Sequence, residues 1–416
     1  MKFLSNQPAG TADRSLAHLS QVYAIGGLLL IGTTWRLWLP QMAFPQVPLF
    51  GWACAIPRSA DVVLAGAIVL GLIGALFRRT RGCGWIAFAI ASMSSMAVDQ
   101  HRLQVWAWHL VLAGLLIASS PALSALRRLR WLTIGLYAWS AASKCDLTFL
   151  HGPGRMVLQG LLTAIGIDPH AVQEDIGTWA VIVMVAWEGL TSLFLAFPRT
   201  RRLGLLQSLV LHVGLLVALG PWGLNHGWSV LLWNVLFLFQ NPLLFGTKET
   251  ETATSEPPRA NWLRTVVAYG ALGAGVLLPA LQPWGLWDVW PSWAVYSTRG
   301  GWCTLLVRTE EVSQLPSAAQ PYVRPPQPLA DWSVIDVDAW SREALSCPVY
   351  PQSRFRIAIA AALSQSVPVR VELRRSLDHW TDDVVLTSWI LEGGQIPAEL
   401  KRRYWLNLRA RPIGDE

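Results

Sequence analysis

The chain has 416 residues, of which 53% are hydrophobic and only 14% charged, with a mean hydropathy of +0.37. A soluble domain carries roughly 25% charged residues, so an ordinary soluble protein is excluded. The net charge of +7 does not mark a nucleic-acid partner, because the arginines fall in short clusters between apolar runs, where they act as topology signals.

In chain order, apolar runs long enough to cross a hydrocarbon core of about 30 Å lie near residues 21–39, 61–77, 83–99, 104–120, 130–144, 176–197, 203–220, 227–246 and 263–281. The pattern predicts an all-α polytopic membrane bundle of about nine transmembrane helices over residues 1–285. The first run begins after about twenty mostly polar residues and is itself long enough to span, so no cleavable signal peptide is expected. Basic clusters fall in every second loop: Arg78, Arg79 and Arg81; Arg127, Arg128 and Arg130; Arg199, Arg201 and Arg202; Lys248, Arg259 and Arg264. The positive-inside rule makes these loops cytoplasmic, together with the N-terminus carrying Lys2 and Arg14, and leaves the C-terminus outside. Such loops fit a prokaryotic inner or plasma membrane.

Between the fifth and sixth runs, a segment from Gly152 to Pro169 reads as a re-entrant or interfacial helix. After residue 282 the character changes. Trp284, Trp287, Trp290 and Trp293 suggest an aromatic belt, Thr304–Arg308 reads as a strand, and a proline-rich linker precedes a clear alternation over Val369–Arg374. Residues 286–416 are therefore expected to form a small C-terminal α+β or β extracytoplasmic domain. No internal repeat is read from the sequence. The five cysteines lack CxxC and metal-ligand spacing, no metal site is expected, and a disulfide between Cys303 and Cys347 is compatible with the outer compartment.

Ionisable groups within a bilayer cost roughly 2.5–3.5 kcal/mol at a helix centre and usually pair or line a cavity. Under the topology above, Arg36, Asp99, Gln100, His101, Arg102, Lys144, Asp146, His151, Asn225 and His226 lie near the outer ends of their runs, His212 lies deeper and Glu188 lies near mid-membrane. A polar pocket opening outward accounts for them together. Individually, Arg36, Arg102 and Lys144 could snorkel to headgroups, Glu188 and His212 could pair with each other, and Asp146 could cap a helix or pair with Lys144.

The stretch Tyr137-Ala-Trp-Ser-Ala-Ala-Ser-Lys144-Cys-Asp146-Leu-Thr-Phe149-Leu-His-Gly152 resembles the active-site lysine segment of vitamin K-dependent gamma-carboxylases. His212 and the Asn225–Trp228 region are similar to the later membrane portion of that family and of the horizontally transferred transmembrane (HTTM) proteins, its bacterial relatives. The resemblance implies a catalytic set of Lys144, Asp99, Asp146 and His212. It implies that Lys144, held neutral in an apolar site, is the base acting on reduced vitamin K or another quinol, with a peptide glutamate or periplasmic protein as the carboxylated partner. The outward polar pocket adds Arg36, His101, Arg102, Glu188, Asn225 and His226 as the expected substrate-binding residues. The chain departs from the family upstream, where Val105 and Trp106 stand at the positions of an assisting Asn-His pair. Three rivals follow: a non-catalytic quinone- or lipid-binding membrane protein; a DoxX or MauE-like redox partner, for which Cys54 and Cys145 are the available cysteines; and an envelope scaffold acting through its soluble domain.

Overall fold

The computed structural model describes residues 10–246, 262–297, 302–376 and 384–411. Lys2, Lys248 and Arg259 of the expected cytoplasmic face lie outside them. The first long helix, α1 (Gly10–Thr33), ends in the short α2 (Trp35–Trp38). An irregular loop leads to the hairpin of α3 (Ser59–Leu76) and α4 (Arg81–Val98), followed by α5 (Val105–Ser119). After a two-residue break come α6 (Ala122–Ala142), the short α7 (Leu147–His151) and α8 (Pro153–Ala164). A second hairpin, α9 (Glu174–Ala196) and α10 (Arg201–Leu219), then leads to α11 (Trp228–Phe245) and α12 (Trp262–Val276).

Five of these helices, α1, α3, α9, α10 and α11, are long and apolar enough to cross a membrane, and α12 makes a sixth if joined to the 3-10 turn Leu278–Trp284 across a 40° bend. The chain is thus a membrane protein by the composition of its helices. The other expected runs are also helical but fall short as independent spans. Helix α5 has 15 residues, α4 carries Ser92, Ser94 and Ser95, and α6 holds three arginines in its first turns.

Two successive four-helix units share one order of packing, although no repeat is read from the apolar pattern. Helix α1 packs on α3, α3 on α4 and α4 on α5; α6 packs on α9, α9 on α10 and α10 on α11. The units cross-pack through α1 with α11 and α5 with α6. Their hairpin turns carry the same residues, Phe77-x-Arg79-Thr80-Arg81-x-x-Gly84 and Phe197-x-Arg199-Thr200-Arg201-x-x-Gly204. In each, the threonine hydroxyl donates to a carbonyl six residues back, Gly74 O at 2.7 Å and Phe194 O at 2.9 Å. The glycine then lets the returning helix touch backbone: a Cβ on Gly84 would sit 2.4 Å from Ala75 N, and one on Gly204 2.7 Å from Leu195 N. The arginine-bearing ends gather together, since Ser20 Oγ donates to Ala75 O at 3.0 Å and Arg130 Nε donates to Leu244 O at 2.6 Å.

The C-terminal region forms an antiparallel sheet in the order β2-β1-β3-β4, with β1 (Trp302–Arg308), β2 (Trp332–Ile335), β3 (Val369–Ser376) and β4 (Val384–Leu391). Alternation places Cys303, Leu305 and Val307 of β1 and Val369, Val371 and Leu373 of β3 on the buried face. Helix α14 (Ser353–Leu363) packs on β1 and β3. Helices α13 (Val337–Leu345) and α15 (Ala398–Arg403) complete an α+β unit. The expected boundary near residue 285 is followed by a stretch that still packs on the bundle: Trp293 Nε1 donates to Gly275 O at 2.7 Å, and Trp290 and Trp293 are buried. Of the expected belt, Trp284 is exposed, while Trp290 and Trp293 serve as core. Cys303 and Cys347 are buried free thiols rather than a disulfide. Burial pushes the Cys303 thiol up to about 12.

Candidate functional site

Two polar assemblies emerge where the sequence suggests one. The first joins the bundle to the C-terminal unit. Arg102 is fully buried, donating through Nη1 to Asp61 Oδ1 at 2.6 Å and Ser95 Oγ at 3.1 Å, and through Nε to Leu37 O at 2.9 Å. Arg411 approaches the other oxygen of Asp61 at 3.7 Å, and Asn407 Nδ2 donates to Pro48 O at 2.8 Å, so the chain's last described residues are woven into the loops of the bundle. Arg354 of α14 pairs with Asp288 and donates to Gln100 Oε1 at 2.8 Å.

The structure places four expected site residues away from the cavity described below. Asp99 caps the turn Gln100–Arg102, accepting from His101 N at 3.1 Å; burial, opposed by Arg102 and two backbone N–H donors, pushes its carboxyl up to about 6. His101 lies against Phe44 and Phe355 with Nε2 3.1 Å from Pro348 O, and burial pushes it down to about 4. Arg102 is the structural hub just described. Arg36 is exposed with its guanidinium over Trp35. None of the four reaches the cavity wall: a position near a span's end specifies depth but not which neighbour the side chain faces. Asp146 is likewise a cap, accepting from Phe149 N at 2.6 Å, and does not line the cavity.

Two buried groups at this junction give pH dependences of opposite sign. His101, neutral in the fold, contributes fully above its unfolded pKa near 6.5 and loses that contribution as pH falls toward about 4. Asp99 runs the other way, its burial costing stability as pH rises from the ordinary carboxylate range through about 6. The stability difference between wild type and His101→Gln, followed by hydrogen exchange over residues 337–363, should shrink by roughly 3 kcal/mol from pH 7 to 4. A difference independent of pH contradicts a buried neutral His101.

The second assembly lines a cavity of about 800 Å³ in the second four-helix unit, covered in part by Arg342, Ser346 and Cys347 of the C-terminal unit. Lys144, Glu188, His212, Asn225 and His226 all reach it. At the end of α6, Lys144 Nζ lies 2.6 Å from Glu188 Oε2 of α9 and 2.7 Å from Ser140 Oγ. Lys144 therefore has an ion-pair partner in place of wholly apolar surroundings, and Glu188 pairs with it rather than with His212. His212 of α10 is held from both sides, Nε2 2.6 Å from Tyr137 Oη and Nδ1 2.9 Å from Asn234 Oδ1. Asn241 Nδ2 in turn donates to Tyr137 Oη at 2.8 Å. His212 is stacked on Phe237 at 4.4 Å between ring centres. Near the mouth, His226 stacks on Tyr296, and burial together with the nearby Arg342 holds its imidazole below the ordinary value.

Sequence reasoning did not select Asn234, Asn241, Ser140 or Arg342. The asparagines were visible as amide side chains inside apolar runs. Tyr137 appeared only as part of the lysine segment. The rest of the wall is mainly apolar and aromatic, including Trp106, Phe149, Val157, Met184 and Trp233. Cys54 lies by Asn407 and Arg409, Cys145 is exposed near Ala141, and both are free thiols.

No family model matches the chain, nor does any curated protein or solved structure.

Proposed function

We propose that this protein is a gamma-carboxylase-like membrane enzyme whose cavity binds a reduced quinone and takes a proton from it. The observation that carries the reading is the Lys144–Glu188 pair, at 2.6 Å, on the wall of a mainly apolar cavity of about 800 Å³. That size lies within the usual range of small-molecule sites, and its aromatic and aliphatic walls suit a fused-ring head. Glu188 receives a hydroxyl proton, and the Lys144 ammonium neutralises the charge left on the oxygen, in mostly buried surroundings where little water weakens the interaction. Tyr137, fixed between His212 and Asn241, and Ser140 orient the oxygen. The subsequent use of oxygen and carbon dioxide on a peptide glutamate is the reaction class that the resemblance implies, at the same end of the bundle.

The same reading takes all nine helical runs as crossings, with the arginine-bearing ends cytoplasmic and the C-terminal unit outside, in a prokaryotic inner membrane. Helix α4, at 18 residues, extends about 27 Å and runs back along α3 from a tight turn. Helix α5 is buried along most of its length, so its shortness need not match the lipid.

Binding is measured by quenching of tryptophan fluorescence with a reduced naphthoquinone in lipid nanodiscs, and turnover by oxygen consumption in the same sample. Wild type should bind and consume oxygen. Lys144→Ala and Glu188→Gln should bind with turnover reduced by a factor on the order of 10²–10⁴, the usual contribution of a positioned acid or base. Equal turnover in wild type and Lys144→Ala contradicts the proposal. Binding without turnover in all three leaves a non-catalytic quinone carrier.

A further inference from the structure

The two hairpins that share a turn differ beyond it. In the first, Gly71 and Gly84 let α3 and α4 touch backbone to backbone well past the turn: a Cβ on Gly71 would sit 2.6 Å from Phe88 N. Aligned on the common Phe-x-Arg-Thr-Arg-x-x-Gly pattern, Gly71 and Gly74 correspond to Thr191 and Phe194 in the second hairpin. The second hairpin therefore lacks the glycine pair that brings α3 and α4 together beyond their turn. A link remains where Trp187 Nε1 donates to Gln207 O at 3.2 Å. Farther along, α8 closes the gap, with Gly160 so near α10 that a Cβ there would sit 2.5 Å from Ala218 O.

Between those two closures Val183 of α9 and Val210 of α10 are each more than half exposed, at 58% and 51%, and stand in helical register with the exposed Leu190 of α9 and Leu206 and Val213 of α10, yet both line the cavity. Gly214, one turn beyond Val210, also lines it, and a Cβ there would meet nothing within 4 Å. The surrounding outward residues Leu190, Leu193, Leu206 and Val213 are exposed hydrophobics, as a helix surface facing lipid requires. A residue that is both outward-facing and on the cavity wall marks an opening.

We infer that the slit between α9 and α10 at Gly214 is a lateral portal through which a membrane-dissolved, long-chain amphiphile enters the cavity from the bilayer. This rests on the cavity being the ligand site, and it adds that the ligand is lipid-soluble and arrives sideways. Glycine at 214 keeps the gap clear, and Val183 and Val210 form its lips. The polar mouth lined by Asn225, His226 and Arg342 is left to a water-soluble partner or to exchange of small solutes.

The test uses the full chain in nanodiscs containing a long-chain fatty alcohol that bears a photoactivatable diazirine, with labelled peptides read by mass spectrometry. Wild type should be labelled on interior Met184 and Trp233 as well as on outward Leu206. Gly214→Trp should lose the interior label several-fold and keep the label on Leu206, whereas Val213→Trp, whose side chain faces outward, should label as wild type. Equal interior labelling in Gly214→Trp overturns the portal. So does an unlabelled interior in wild type, and reduced naphthoquinone then separates two cases. Quenching that persists, and is lost in Arg342→Ala, assigns entry to the polar mouth and leaves the ligand site standing. No quenching removes both the portal and the ligand site.

Discussion

Replacing Arg102 with methionine should lower the stability of the folded chain by roughly 3 kcal/mol, the low end of the cost of removing one partner of a buried ion pair, because Gln46 and Arg411 still reach Asp61. The guanidinium is wholly buried and serves the carboxylate of Asp61, the hydroxyl of Ser95 and the carbonyls of Leu37 and Leu39 at once. Methionine fills most of the volume but satisfies none of these acceptors. Because Arg411 also approaches Asp61, the loss should extend to the last described residues, and hydrogen exchange over residues 404–411 should rise with it. Pairing the change with Asp61→Asn should restore only part of the stability, since the two carbonyls stay without a donor. Full recovery in the double variant would mean that the ion pair alone, rather than the junction of loops it holds, carries the energy.

Glu188→Ala gives the second large effect, in the other four-helix unit. It leaves the Lys144 ammonium on a mainly apolar cavity wall with the Ser140 hydroxyl as its other hydrogen-bond partner, and a loss of roughly 3 kcal/mol is expected. Both side chains keep a little exposure, at 13% and 12%, which sets the expectation at the low end of the range for buried pairs. Lys144→Met combined with Glu188→Leu should recover most of the stability, because a well-packed apolar pair often replaces a buried ion pair at little cost, while abolishing turnover. Thermal unfolding in nanodiscs of wild type, Lys144→Met, Glu188→Leu and the double variant yields the coupling directly. Strictly additive losses contradict the pairing.

Much of the helical layout was legible, because membrane helices must satisfy their backbone internally and therefore appear as apolar runs. All nine expected runs are helical, five with the length and composition of an independent span. The strand alternation at Val369–Arg374 likewise emerged as the central strand β3. The repeat was hidden because its signature lies in a turn of mixed residues, Phe77 to Gly84 and Phe197 to Gly204, while the helices on either side share little beyond apolarity.

The site was legible by residue type and illegible by partnership. Lys144, Glu188, His212, Asn225 and His226 do reach one cavity, since polar groups in lipid have few other places to go. Asp99, His101, Arg102 and Arg36 satisfied the same depth criterion and lie elsewhere, because depth does not specify which side of a helix meets which neighbour. Asp61 marks the same gap. It stands at the edge of an apolar run, where it reads as a boundary, and its role appears only when Arg102 and Arg411 converge on it.

The most direct test is the absorbance spectrum of a reduced naphthoquinone bound without oxygen to wild type, Lys144→Ala and Glu188→Gln. The proposed proton transfer predicts the spectrum of the ionised hydroxyl in wild type at neutral pH and that of the neutral hydroxyl in both variants. A neutral spectrum in wild type, with binding intact, would contradict it and reduce the Lys144–Glu188 pair to a device for holding the cavity's shape.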